Sequence, residues 1–404
     1  MLGVREYSRR TMLRRAKRIR RELHYGRCLV ALESPRTSLS TPLCDLLGIH
    51  HPVIQAPMAG GWTTPELVSA VSKAGGFGCL ACTGVPPERL REEIQAVKER
   101  TDRPFGVNFL LAPPGPGSQD IAAAQRFLDR FRERFGLPQG ETDLEPPSIW
   151  LEDQIEVVFE ERVPVLSVAL GEPGELVERA HEEGMLVTSM VTTVKDAVRA
   201  AEGGVDVVVA QGTEAGGHRS TVEFGPGDEA PLVGTMALVP QLVDAVEVPV
   251  VAAGGISDGR GLVAALALGA AGVQMGTRFL LARESGAHPA YRRGLLAATE
   301  EDTVVTRVFT GRPARGLRNR FVEEYLNTGT EPLAWPLQRA AAGDIYGAAQ
   351  AADDGDYSPL LAGQGLRMLT GDRLSAAEIV EEVVSEARAV LSRLSGASPE
   401  IPRG

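Results

Sequence analysis

Aromatic residues make up only 5% of this chain, and cysteine occurs four times in 404 residues. So few cysteines exclude a disulfide-stapled scaffold, and a chain of this length can bury its own core without one. Long apolar runs are also missing. None reaches the roughly 20 residues that a membrane-spanning helix needs, so no membrane partner is expected. Histidine is scarce as well, with six residues, which narrows the candidates for proton chemistry near neutral pH. The G-x-G-x-x-G turn of a dinucleotide-binding open sheet is absent from its place, because the first apolar run is followed by Ala59-Gly60-Gly61-Trp62.

Charge is unevenly spread. The net charge is −11, yet residues 1–27 hold nine Arg and one Lys against Glu6 and Glu22, a local +8 that leaves the body near −19. An acidic body argues against a nucleic-acid partner. The basic head lacks the apolar core of a secretory signal. A solvated extension, or an over-long start with Met12 inside it, is favoured over a targeting segment. Residues 1–38 are therefore expected to be a loosely ordered extension and residues 395–404 a tail, with a cytoplasmic location for the chain. Cys79 and Cys82 form a C-x-x-C, but no second pair or histidine follows at zinc spacing, and the pair flanks a strand end rather than opening a helix. Two buried structural thiols are the favoured reading, and no metal site is expected.

Glycine is plentiful, with 45 residues, and apolar residues are 43% of the chain. Eight short runs rich in Val, Ile, Leu and Phe stand out: Val53–Met58, Phe77–Cys82, Phe105–Leu111, Val163–Leu170, Leu186–Val191, Val205–Gln211, Val248–Ala253 and Gly272–Leu280. Segments of helical period lie between them, such as Pro87–Arg100, Gln119–Arg134 and Asp258–Leu268. Eight such alternations predict a (β/α)8 TIM barrel, with a doubly wound open sheet as runner-up. The barrel is expected over residues 39–394. It carries inserted loops between 112 and 148, a lid-like helical segment at 283–361 and a C-terminal helical segment.

In such a barrel the C-terminal strand ends share the face that carries the active site. The seventh run ends in Gly254-Gly255 ahead of a helix starting near Asp258, which suits a phosphate; a plain βα turn capped by Asp258 is the alternative. The eighth run carries Gln274-Met275-Gly276-Thr277, which would complete a phosphate cradle beside it. After the sixth run comes Gln211-Gly-Thr-Glu-Ala-Gly-Gly-His-Arg219. Gly216-Gly217 would bring the backbone against a flat ring. His218 is the histidine placed at the barrel mouth for acid/base or electrostatic work, a capping role being the alternative. Asn108, on a buried strand, needs partners for its amide, either a ligand or a neighbouring side chain.

The run Gln55-Ala-Pro-Met-Ala-Gly-Gly61, taken with Phe105–Phe109, Gln211–Arg219, Ala252–Gly261 and Gln274–Leu280, resembles the nitronate monooxygenase family, formerly called 2-nitropropane dioxygenase. The resemblance covers about residues 40–370. It implies an FMN-containing barrel that oxidises alkyl nitronates with O2 to carbonyl compounds and nitrite through a flavin semiquinone. By position it assigns Asn108, Gln211, Gly216, Gly255 and Gln274, Met275, Gly276 and Thr277 to FMN binding, places Met58 by the flavin ring, and makes His218 the catalytic histidine. The partners so implied are an alkyl nitronate and O2, with a homodimer as the assembly to test. Ser220 departs from the pattern, standing where a Gly usually follows the His-Arg pair, and Ala169 stands near where relatives carry a larger residue. A flavin-dependent enoyl-acyl-carrier-protein reductase is the nearest competitor. Those enzymes tend to carry Glu at the place of Gln211 and Gly-Asn-Pro where this chain has Gly171-Glu172-Pro173. A sugar-phosphate-binding barrel, or a flavin binder without turnover, is the reading from another class.

Overall fold

The computed structural model describes residues 39–112, 120–145, 150–223, 230–371 and 374–396. The expected basic extension and most of the tail lie outside these residues. Eight parallel strands form one sheet: β1 (Val53–Gln55), β2 (Gly78–Ala81), β3 (Phe105–Leu110), β4 (Val165–Ala169), β5 (Leu186–Val191), β6 (Val207–Gln211), β8 (Val250–Ala253) and β9 (Gly272–Met275). Their order is β1-β9-β8-β6-β5-β4-β3-β2. A bridge between Ile54 and Phe77 joins the two ends, with Gln55 N and Phe77 N each donating across it at 2.9 Å. The sheet is therefore a closed (β/α)8 barrel rather than an open doubly wound sheet.

Alternation along the strands sorts side chains between two cores. Outward residues such as Val107, Val168, Val208 and Val273 pack under the surrounding helices. Inward residues such as Ile54, Val165, Val209, Val251 and Ala253 fill the ring. The bottom of the ring is closed by a short helix, Pro42–Leu47. It drives Leu43, Cys44 and Leu47 into the interior cluster and stops at Gly48 in the left-handed conformation, φ 71°.

The helix Ala376–Leu394 takes the last outer position. A capping box between Ser375 and Glu378 starts it, and a stripe of Ile379, Val380, Val383, Val384 and Ala387 buries its inner face. It packs on the helices Gly259–Ala267 and Pro65–Lys73, which flank the β9–β1 seam. Gly259 permits this approach, since a Cβ there would collide with the main chain of Ala387.

The segment expected to be a helical lid is not wholly helical. It holds the helices Pro289–Ala297, Arg320–Thr328, Leu337–Ala341 and Gly343–Ala351, but also β10 (Thr303–Thr306) and β11 (Ala314–Leu317). These pair antiparallel with each other, and β11 pairs with β7 (Gly217–His218), a two-residue strand in the loop after β6. The helix Ile121–Phe135, from the insertion after β3, joins this segment in a separate hydrophobic core around Phe131, Phe309, Phe321, Tyr325 and Tyr346. Arg132, 3% exposed, ties the halves together through Asp344 at 2.7 Å and the Ala341 carbonyl at 2.6 Å. The two pieces make a cap over one end of the barrel.

Candidate active site

Two cross-strand rows carry polar groups into the upper ring. Gln211, Ala253, Gln274 and Ile54 lie in one register row, and Ala81, Asn108, Ser167 and Thr188 in another. Ile54 and Ala253 belong to the interior cluster, which fixes the facing of the first row. Gln211, Gln274 and Asn108 are all buried. Asn108 finds a side-chain partner, donating through Nδ2 to Ser167 Oγ at 3.1 Å. Met275, one residue along from Gln274, turns its side chain outward into the helix-facing core and is 1% exposed. Only its main chain reaches the ring end, where its carbonyl accepts from Ala56 N at 2.9 Å.

The loop after β6 is braced from several sides. The Gln211 amide braces it with half of its capacity, Nε2 donating to the His218 carbonyl at 2.8 Å and Oε1 accepting from Ser220 N at 2.9 Å. Ser220 uses its hydroxyl as a rivet, donating to the Met190 carbonyl at 2.7 Å and accepting from Leu170 N at 2.9 Å. A glycine could not tie the ends of β4 and β5 to this loop, which gives the departure at Ser220 a physical role. Three buried arginines hold the same loop by its carbonyls. Arg219 reaches Gly212 and Gln211 at 2.6 and 3.0 Å, Arg315 reaches Thr213 at 2.7 Å, and Arg312 reaches Thr221 at 2.6 Å. Burial pulls Arg219 and Arg312 down to about 10, so both stay charged at neutral pH.

His218 is half-buried at the junction of barrel and cap. Its strand β7 pairs with β11 of the cap, with Ala314 opposite His218. The ring nitrogen Nε2 lies 2.8 Å from Thr310 Oγ1, and the edge of the Trp335 ring system lies against it, centroids 5.4 Å apart. Burial, and then the Arg312 charge, lower its pKa to about 4. The imidazole is therefore neutral at pH 7, which removes a resting protonated His218 as an option and leaves a hydrogen-bonding one.

The glycines divide into two groups. Gly254 (φ 118°) serves the protein's own packing, because a Cβ there would stand 2.8 Å from Ala215 N and 3.0 Å from Thr235 Oγ1. Gly216 does the same on its Cβ side, with Ala362 and Gly363 main-chain atoms 2.6 Å from a Cβ position. Gly276 is different. A Cβ there would meet nothing nearer than Ala56 Cβ at 3.6 Å and Met58 Sδ at 3.7 Å, ordinary contact distances, so the protein's own packing does not demand a glycine. Gly255 and Gly276 each lie two residues beyond the paired Ala253 and Gln274, at neighbouring strand ends. Among the described residues the amides of Gly255, Gly276 and Thr277 donate to no main-chain carbonyl. Unspent donors at two neighbouring strand ends suit an anionic group such as a phosphate. The expected eighth run is shorter than its sequence suggests, since β9 ends at Met275 and Thr277–Leu280 is a short helix. Gly276 and Thr277 therefore stand at the strand end, not in mid-strand.

Sequence reasoning missed several groups here. Thr310 and Trp335 of the cap touch His218. Glu214 accepts from Thr235 N and Oγ1 at 2.9 and 2.8 Å, capping the start of the helix Thr235–Ala245. The run Ala362-Gly363-Gln364-Gly365 roofs the β8 and β9 ends, with Gly363 N donating to Thr277 Oγ1 at 3.0 Å and Gln364 N to the Glu214 carbonyl at 2.9 Å. Its paired glycines were the one signal that could have found it. The thiols of Cys79 and Cys82 are buried and free, pushed up by burial, Cys79 to about 12, as structural thiols should be. Among the described residues no group of His, Cys, Asp or Glu is arranged to hold a metal ion, and no helix is long and apolar enough to cross a membrane.

Comparison with known proteins agrees with this architecture. The family model for nitronate monooxygenase matches residues 40–386. A "Probable nitronate monooxygenase" of Staphylococcus saprophyticus is 38% identical over 357 residues, covering 88% of this chain and 99% of the relative. Among solved structures, nitroalkane oxidase from Streptomyces ansochromogenes superposes with a TM-score of 0.80 at 36% identity, covering 87% of this chain and 99% of that one. FabK from Thermotoga maritima follows with a TM-score of 0.71 at 32% identity, covering 89% and 99%. The enoyl reductase domain of MlnA from Bacillus amyloliquefaciens shares the fold, with a TM-score of 0.62 at 13% identity over 90% of this chain and 100% of that one. A family model spanning most of the chain, with relatives matched nearly end to end, places it: this chain belongs to the nitronate monooxygenase family.

Proposed function

We propose that this chain is an FMN-dependent enzyme that oxidises alkyl nitronates with O2 to carbonyl compounds and nitrite. The observation that carries the reading is the setting of His218. It is a neutral imidazole near a buried guanidinium, in the loop after β6, and so belongs to the same C-terminal strand-end face as the unspent amides. A nitronate is an anion. The Arg312 charge attracts it, and the imidazole offers it a directed hydrogen bond without adding a second fixed charge.

The residues fit FMN as cofactor. The unspent amides of Gly255, Gly276 and Thr277 would hold its phosphate at the neighbouring ends of β8 and β9. Asn108, Gln211 and Gln274 line the ring interior, where a flavin's carbonyls and nitrogens need partners, with Met58 and the loop at Gly216 beside them. When bound, the flavin supplies the redox chemistry between substrate and O2. The chain's own part is to orient the nitronate at His218, to hold its charge with Arg312, and to exclude water with the cap. His218 is neutral before the anion arrives. A bound anion raises the ring's proton affinity, so charge that develops on the substrate is met by a group able to respond.

The test is anaerobic mixing with propionate 3-nitronate or with NADH and NADPH, followed by the flavin absorbance. Fast bleaching by the nitronate and slow bleaching by the nicotinamides supports the reading. The reverse pattern overturns it in favour of an enoyl-acyl-carrier-protein reductase, for which the MlnA likeness speaks at the level of fold alone.

A further inference from the structure

The hydrogen bond between His218 and Thr310 joins the barrel loop to the cap, and its direction has chemical consequences. Thr310 is 7% exposed and its hydroxyl has one proton to give. Two acceptors stand near it. His218 Nε2 is 2.8 Å away, and the Arg312 carbonyl is 3.4 Å away, beyond the ordinary range for an O–H donor. The Arg312 amide N–H approaches the same oxygen at 3.4 Å, so the oxygen's acceptor side already faces a donor.

Two arrangements are open to a neutral imidazole. If Nε2 carries the proton, it donates to Thr310, and the buried hydroxyl proton is left with only the distant carbonyl. If Nδ1 carries the proton, Thr310 donates to Nε2 at good length, and Nδ1, which is not a buried unpartnered atom, keeps its N–H for a ligand or solvent. The second arrangement leaves no buried donor unmade, whereas the first strands the hydroxyl proton, and a buried donor without a partner is the costlier state. The turn that holds Thr310 is rigid. Thr310 N and Gly311 N both donate to the Arg307 carbonyl, at 3.2 and 2.7 Å, and Gly311 takes φ 88° where a Cβ would collide with the Leu333 carbonyl.

We propose that Thr310 is a positioning residue that fixes His218 as the Nδ1–H tautomer, so that the ring presents a hydrogen-bond donor rather than a bare nitrogen to an anionic substrate. This deepens the nitronate reading and rests on it for the identity of the anion. A bare Nδ1 would turn its lone pair toward the nitronate oxygens and repel them. The cap thus sets the chemical character of the histidine that the barrel supplies.

The tautomer is read directly by ¹⁵N NMR of the FMN-loaded enzyme labelled at histidine, with His218→Asn to assign the signals. In the wild type the expected pattern is a protonated Nδ1 and an unprotonated, hydrogen-bonded Nε2. Thr310→Val should shift it toward Nε2–H and lower kcat/KM with propionate 3-nitronate about ten-fold, mainly through KM, in line with one lost hydrogen bond to an anion. Thr310→Ser should restore both readouts, which separates a lost hydroxyl from a damaged turn. A wild-type spectrum with Nε2 protonated overturns the proposal, as does a Thr310→Val enzyme with unchanged spectrum and KM. Because the spectrum needs no substrate, failure of nitronate turnover in the wild type strikes the functional reading and leaves the tautomer result standing.

Discussion

The barrel and the cap solve packing with different residues. Around the ring, Val107, Val168, Val208 and Val273 each supply a small outward side chain from a different strand under Leu- and Ala-bearing helices, and large rings are few. In the cap, Phe131, Phe309, Phe321, Tyr325, Tyr346 and Tyr357 do most of the filling, and Phe321 has Phe131, Tyr325 and Tyr346 within 6 Å, centroid to centroid. Strand spacing fixes the room available inside and outside a closed sheet, so small branched side chains suit it. The cap has no such lattice. It is assembled from residues near 121–144 and 304–361, and a few large rings span gaps that no regular backbone defines. His218 sits where the two meet, supplied by a barrel loop and held by cap residues.

The sharpest way to test that division is at Gly276. A Cβ there has protein neighbours only at 3.6 Å and beyond, so Gly276→Val should fold with little loss. The same branched side chain fills the space assigned to the phosphate. Flavin absorbance per chain should fall to near zero while the thermal midpoint of the flavin-free protein stays close to that of the flavin-free wild type. Full flavin content would move the cradle elsewhere.

His218→Asn probes the seam. FMN should stay bound, and nitronate turnover should fall by roughly 10²–10³, the usual worth of one directed donor. The pH dependence gives a second readout. The folded pKa, about 4, lies below the ordinary value of 6.5. Between those values the unfolded chain binds a proton that the native ring refuses. Stability linked to this residue is therefore whole above pH 6.5 and is lost as pH falls toward 4. His218→Asn should flatten that part of a melting-temperature profile. An unchanged profile would return the ring to an ordinary pKa.

Phe321→Ala asks whether the cap's rings carry the cap alone. Deleting a fully buried Phe costs roughly 3–5 kcal/mol. Hydrogen exchange should rise across 304–357 and 121–135 while the β-strands keep their protection and the flavin stays bound. Loss of protection throughout the ring would mean that the two cores fold as one. The smallest effect belongs to Ser220→Gly. Losing a hydroxyl that bridges Met190 and Leu170 should lower stability by about 1 kcal/mol, read as a denaturant midpoint shift with turnover retained.

The same contrast explains what was legible in the sequence. The eight strands declare themselves because each is a short apolar run set between segments of helical period, several of them ending in Gly or an amide, and all eight lie where the pattern puts them. The last one reads too long because Phe279 and Leu280 are as apolar in a helical turn as in a strand, and Gly276, at φ −103° and ψ −69°, turns the chain without any breaker beside it. His218 could be singled out because its neighbours are glycines on a strand end. Thr310 and Trp335 could not, since a lone Thr and a lone Trp carry no period, and their partner lies roughly a hundred residues away. At Gly216 the Cβ side is filled by Ala362 and Gly363, and a sequence shows that a glycine is needed but not which neighbour needs it.

The position of the helix Ala376–Leu394 has a consequence for how the chain acquires its shape. β1 hydrogen-bonds to β9 across more than two hundred residues, and the helix that covers their seam is reached only after the whole late part of the cap has been passed. During synthesis the first strand therefore waits, with one edge open, until β9 leaves the ribosome. The seam then stays uncovered until the final helix arrives. Ring closure of such long range is slow, and an open parallel edge is an invitation to pair with another chain. The cap residues that hold His218 lie between those two events in the chain, so they are threaded out before the ring is sealed over its outer face. His218 and Thr310 can therefore meet only after most of the barrel has been made.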